Sequence, residues 1–248
     1  MEKLTKQLDK LIERLENSRD FREQLKRLRS VFPFSEYEYI ISTLLSRKKL
    51  TFDEYLDIRN SYIDRNLYLY IFEISAPRGF GDTWAFGHLK QLVPEFERPA
   101  KKIDPKYTGE YDLILHWINK NKEHLIKIEV KASRAVDFEK AEQPLYIKAL
   151  TTDSKSSFDM NFQQLKPKCC DMFIWIAVWR DQIKYWVLTS DEVLSNKYYS
   201  KGQHRGNTGE GQLHLNQDNI REFDEYLSSS TNLRQAIIEA YCRQKKIK

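Results

Sequence analysis

Three residues near the middle of the chain could hold a cation and handle a proton: Asp112, Glu129 and Lys131. Residues 124–133 read His-Leu-Ile-Lys-Ile-Glu-Val-Lys-Ala-Ser and alternate cleanly. Ile126, Ile128, Val130 and Ala132 point one way; Lys127, Glu129, Lys131 and Ser133 point the other. One face is core, and the other lines up a carboxylate and two lysines about 7 Å apart along the strand. Solvated strand faces look the same, so the pairing partner carries the argument. An antiparallel hairpin of 111–118 with 124–133, closed at Asn119–Lys122, puts Asp112 opposite Glu129. Facing side chains have Cβ atoms about 4.5–5.5 Å apart, and like charges so placed repel. Two carboxylates brought together beside Lys131 imply a cation between them. Hard oxygen ligands suit Mg²⁺, which keeps several waters and completes its shell with phosphate oxygens. The inference depends on register, because a slip of one residue turns Asp112 to the other face and leaves Glu110 as the alternative.

The segments around this hairpin set its frame. Residues 4–29 read as an amphipathic helix with a Leu/Ile stripe, packed on its own domain or forming a short coiled coil. Pro33 ends it, and Ser35 with Glu38 opens a helix over 36–47. Thr51 with Glu54 opens another, running to about Ile74. Ala76-Pro77-Arg78-Gly79 is a break, and 82–92 read as one more helix. After the hairpin, 157–166 read as helical, followed by strands 172–179 and 183–188 joined by a short turn. A helix starts at Thr189, residues 201–211 hold four of the eight glycines and read as a loop, and helices over 217–228 and 231–245 close the chain.

Tyr111-Asp112 followed by Glu129-Val130-Lys131 resembles the PD-(D/E)xK motif of the restriction-endonuclease-like nucleases, with Tyr111 in place of the usual proline. The order helix, hydrophobic hairpin, helix, strand over roughly 80–190 is similar to the α-β-β-β-α-β core of that superfamily. The resemblance implies an α/β fold, a mixed central sheet flanked by helices, over residues 79–248 with a helical N-terminal region over 1–78. It implies Mg²⁺ held by Asp112, Glu129 and the carbonyl of Val130, with Lys131 orienting or deprotonating the attacking water. Lys127, Ser133 and Arg134 are the adjoining expected DNA contacts. An acidic residue from the preceding helix often joins such sites, and Asp82, Glu95 and Glu97 are the candidates. Gln163 and Gln164 fall where relatives often carry an active-site glutamine. By size the chain is most similar to a prokaryotic, cytoplasmic type II restriction endonuclease. Such an enzyme cleaves double-stranded DNA as a homodimer, with part of residues 1–75 expected at the interface. The alternatives are a repair or replication nuclease on the same core, or a non-catalytic DNA-binding or interaction protein whose hairpin charges are surface decoration.

The remaining features narrow the field. Hydrophobic residues make up 41% of 248, enough for a sizeable core, and 13% aromatic content excludes a mainly disordered chain. No apolar run approaches the roughly 18–20 residues of a membrane helix, and the N-terminus lacks the apolar stretch of a signal peptide. Cys169, Cys170 and Cys242 have no metal spacing and read as free thiols of a reducing compartment. Net charge is +5, which permits a nucleic-acid partner without requiring one. The glycine-rich stretch has no Gly-Lys-Ser/Thr and is no phosphate-binding P-loop. Its Arg205, Asn207 and Thr208 carry donors suited to phosphates and base edges, and a plain mobile loop has the same composition.

Overall fold

The computed structural model describes residues 33–74, 79–140, 142–203 and 207–247. The expected helix over 4–29 and Arg205 lie outside them. The chain divides into two compact units, 1–66 and 67–248. In the first, α1 (Pro33–Ser46) and α2 (Phe52–Asp64) form a helical hairpin. Pro33 is the first residue of α1, a position where its missing N–H costs nothing. Glu38 reaches across to α2, accepting from the Tyr55 hydroxyl and from Arg59 Nε at 3.0 Å. The Thr51–Glu54 capping box is present, but α2 stops at Asp64 rather than near Ile74.

The second unit is a three-layer arrangement. A five-stranded mixed sheet has the order β1–β2–β4–β5–β8: β1 Leu113–Asn119, β2 Lys122–Arg134, β4 Met172–Val178, β5 Ile183–Thr189 and β8 Leu227–Ser228. A three-stranded antiparallel sheet has the order β3–β7–β6, with β3 Asp159–Leu165, β7 Asn207–Asn216 and β6 Tyr199–Gln203. Helices α3 (Ala85–Leu92) and α5 (Leu233–Lys245) pack Leu89, Leu233 and Ile237 on the sheet face formed by Leu113, Leu115, Ile126, Ile128, Ile174 and Ile176. The opposite face, with Ile114, Phe173 and Trp175, packs on Met160, Phe162, Leu213 and Leu215 of the small sheet. Trp175 is fully buried and stacks on Phe162 at 4.9 Å between ring centroids.

The β1–β2 hairpin closes as expected, with Leu113 facing Ile128 and Asn119 facing Lys122. Its two-residue turn puts Lys120 and Asn121 at φ 48° and 65°, the left-handed pair that matches strand twist. Strand β2 then pairs in parallel with β4, and β4 in antiparallel with β5. Helix α4 (Ser190–Ser195) starts with a Thr189–Glu192 capping box. Three sequence expectations need correction. Residues 157–166 are not helical: they supply β3, so the parallel crossover from β2 to β4 passes through the second sheet. The described residues of 201–211, 201–203 and 207–211, belong to β6 and β7 rather than to a loop. Residues 217–228 form a 3₁₀ segment over Ile220–Tyr226 and then β8, rather than an α-helix.

Candidate active site

Asp112 precedes β1, whose register with β2 starts at Leu113 facing Ile128. The Asp112 N–H donates to the Ile128 carbonyl at 3.0 Å, one residue out of that register, so the pairing slips at Asp112 and does not set it squarely opposite Glu129. The Asp112 carboxylate turns back onto β2, where Oδ2 accepts from the Val130 N–H at 2.8 Å. Glu129 is only 3% exposed. Lys131 Nζ lies 2.7 Å from Glu129 Oε1, and the Lys166 N–H donates to Oε2 at 3.2 Å. Burial raises both carboxyls above the ordinary range. The Val130 N–H and then Lys131 pull Asp112 back while Asp82 pushes it up; Lys131 pulls Glu129 back while Asp112 pushes it up. The two carboxyls are thus both buried, and the charge on Asp112 is felt at Glu129.

A cleft of about 340 Å³ opens beside Asp112, lined also by Val130, Lys131, Asp82, Arg98, Asn161, Gln163 and Gln164 among others; Glu129 reaches it only through its pairing with Lys131. Of the acidic candidates from the preceding segment, Asp82 reaches the cleft and adds to the negative field on Asp112. Glu95 pairs with Arg234, and Glu97 bridges its main chain to Ile114. Glu110 accepts from the nearby Thr108 N–H at 3.0 Å and is not part of the cleft lining. Two liners escaped the sequence reading. Arg98 is fixed by donating to the Asp82 carbonyl at 2.6 Å and by stacking 3.8 Å above the Phe86 ring. Asn161 comes from β3, the strand read as a helix. Nothing in the local sequence of either marks it, since both are brought in by long-range packing.

The structure disperses several of the expected contact residues. Lys127 is paired with buried Asp104 at 2.5 Å, away from the cleft lining. Arg134 lies on the strand face opposite Lys131; it donates to the carbonyls of Ile71 and Ile74 and stands over Phe80, a structural use. Ser133 follows Lys131 on the same face and pairs in register with Ala177. Asn207 and Thr208 open β7 instead of lying in a loop. Cys170 is buried, and burial pushes its thiol far up, which excludes a thiolate nucleophile there.

Among the described residues, no three His, Cys, Asp or Glu side chains gather as a ready metal cage. The donor set at the pair is two carboxylates and the Val130 carbonyl. Such a set fits an octahedral, water-retaining cation such as Mg²⁺ and does not fit the closed cage of a structural Zn²⁺. Asp82, Asp112 and Glu129 against Arg98 and Lys131 leave one negative charge uncompensated around the cleft, which a cation would balance. No family model, no curated protein and no solved structure matches the chain.

Proposed function

We propose that the chain is a Mg²⁺-dependent endonuclease of the PD-(D/E)xK kind, hydrolysing phosphodiesters of double-stranded DNA at specific sequences as type II restriction endonucleases do. The observation that carries this reading is a pair of buried carboxylates, Asp112 and Glu129, with Asp112 and the Glu129-bound Lys131 both lining an open cleft. The mixed sheet supports the α/β part of the reading, while the helix expected over 157–166 is replaced by β3. Mg²⁺ held by Asp112, Glu129 and the Val130 carbonyl would polarise the scissile phosphate and lower the pKa of a bound water. The Val130 N–H orients Asp112 for that task. Lys131, one fifth exposed and anchored on Glu129, holds the attacking water and offsets charge building on the phosphoryl oxygens. Arg98, held rigid on Phe86, gives the cleft a fixed cation for a phosphate.

Plasmid incubated with the protein and Mg²⁺ tests the reading. Discrete bands support site-specific cleavage, a smear moves it to a non-specific repair nuclease, and intact plasmid rejects catalysis. Asp112→Asn and Glu129→Gln should each lower cutting by at least about a hundred-fold while DNA binding persists. Ca²⁺ should support binding with little turnover, because its larger, laxer shell suits the transition state poorly. Cutting both strands requires two sites, so we place the working form as a homodimer with part of residues 1–75 near its interface. Sedimentation as a monomer, free and on cognate DNA, would remove that part of the proposal.

A further inference from the structure

The small sheet has one apolar face in the core and one polar face. Met160, Phe162, Leu213 and Leu215 take the first. Asp159, Asn161 and Gln163 of β3 and Gln212 and His214 of β7 fall on the second by strand alternation. Asp159 and His214 pair across the strands at 2.6 Å. Asn161 Nδ2 donates to Gln212 Oε1 at 3.4 Å, while Asn161 Oδ1 is buried with no hydrogen-bond partner among the described residues. An orphaned amide oxygen is costly and calls for a partner.

The β3 strand is bulged beside the cleft. Its register with β7 shifts between Phe162 and Leu165, and Gln164 sits at φ 55°, a strained conformation for a residue other than glycine. The bulge turns Gln163 and Gln164 outward, both exposed, onto the cleft wall that Asn161 shares. Bulges next to active sites re-aim side chains in this way. The polar face is therefore continuous with the cleft through Asn161, Gln163 and Gln164.

Next to the cleft that face carries the neutral carboxamides Asn161, Gln163 and Gln212, with the Asp159–His214 pair further along it. A surface that only gripped phosphates would be rich in Lys and Arg, and would read no sequence. A carboxamide offers one donor and one acceptor side by side, the pattern that pairs with adenine N6 and N7 in the major groove. The groove is wide enough for a pair of antiparallel strands, and β3 and β7, which carry these side chains, are such a pair. We infer that the polar face of β3 and β7, centred on Asn161, Gln163 and Gln212, reads adenine-containing base pairs in the major groove of the duplex whose backbone lies in the cleft. The inference rests on the nuclease reading of the cleft and assigns it a separate specificity surface.

A binding selection separates the two. Full-length protein carrying Asp112→Asn is equilibrated with random-sequence duplexes in Ca²⁺, and the retained fraction is sequenced. Fluorescence anisotropy then compares the selected duplex with a scrambled one for this parent and for added Asn161→Ala, Gln163→Ala or Gln212→Ala, across salt. The expected result is a selected motif containing A·T pairs and a preference reduced about 5- to 150-fold per substitution. Affinity for scrambled duplex and its salt slope, which report phosphate contacts, should stay constant. Replacing the motif adenine with 7-deazaadenine should cost the parent a similar factor and the matching variant nothing more. Should Asn161→Ala fail to fold, Gln163→Ala, an exposed position, carries the test. Preference surviving all substitutions, or affinity falling evenly on every duplex with a smaller salt slope, overturns the inference. Wild-type protein that cuts plasmid without any selected motif overturns it and leaves the nuclease reading standing. Protein that neither binds nor cuts DNA overturns both.

Discussion

Lys131→Met, which keeps most of the aliphatic stem and removes the charge, isolates what Lys131 does for Glu129. The ammonium is 2.7 Å from Glu129 Oε1, with the two side chains 21% and 4% exposed. Removing one partner of a buried pair typically costs about 3–5 kcal/mol, and the partial exposure of Lys131 places the expected loss near the lower end, about 3 kcal/mol at pH 8. The loss should depend on pH with a definite sign. Burial already raises the Glu129 carboxyl and Lys131 opposes that rise, so the variant carboxyl is raised further. Folded variant then holds a proton that the unfolded chain has released, and its stability falls as pH increases. The deficit against wild type should therefore shrink as pH is lowered. Urea denaturation from about pH 5 to pH 8 measures it. Mg²⁺ at a hundred times its dissociation constant should stabilise the variant by about 2.7 kcal/mol at pH 8. A deficit under about 0.5 kcal/mol, equal at both ends of the pH range, would refute the claim that Lys131 keeps Glu129 charged.

Two further predictions concern the scaffold. Asp104 is held at about 2, mainly by Lys127 Nζ and next by the Tyr111 hydroxyl, so its contribution is present above the ordinary carboxylate pKa and is lost as pH falls through the window from about 4 to about 2. Asp104→Asn should be less stable than wild type near neutrality, with the gap closing at the acid end of a denaturation series; a pH-independent gap would count against the pairing. Gly211 is buried opposite Leu165, and a methyl there would land on the Tyr199 ring, so Gly211→Ala should cost about 1–3 kcal/mol by thermal denaturation. Tyr199→Ala should recover part of that cost in the double variant, whereas strictly additive losses would remove the steric explanation.

The hairpin that bears Asp112 and Glu129 was legible because two independent signals agreed. Alternation fixed the faces of β2, and the polar Asn119–Lys122 turn fixed its partner, leaving one register. The misread strand β3 shows how such signals can mislead. Phe158, Phe162 and Leu165 fall at helical spacings, and with Met160 they also alternate until Phe162. The bulge at Gln163–Gln164 inserts the offset that returns Leu165 to the buried face, so a bulged strand imitates a helix. The glycines of 201–211 misled for a related reason. Gly202 takes φ 81° at an irregularity in β6, and Gly211 admits the Tyr199 ring, so both serve a hairpin rather than a loop.

The site was half legible for a physical reason of its own. Asp112, Glu129 and Lys131 share one hairpin, whereas Asp82, Arg98 and Asn161 arrive from three other segments that only tertiary packing assembles. What connects them is a violation of the rule that sheets bury apolar residues. On the β2 face that packs against Phe173 and Trp175, Glu129 is a nearly fully buried carboxylate, and across the hairpin Asp112 repeats the charge. An uncharged pair of the same shape would cost the fold less. The chain instead retains both carboxylates and offsets them in part with Lys131, Arg98 and the N–H groups of Val130 and Lys166. A local rule broken and only partly compensated inside the protein points to compensation from outside it. A divalent cation and a phosphodiester together would supply that compensation, and this is why the buried pair, more than the motif it resembles, argues for a hydrolase.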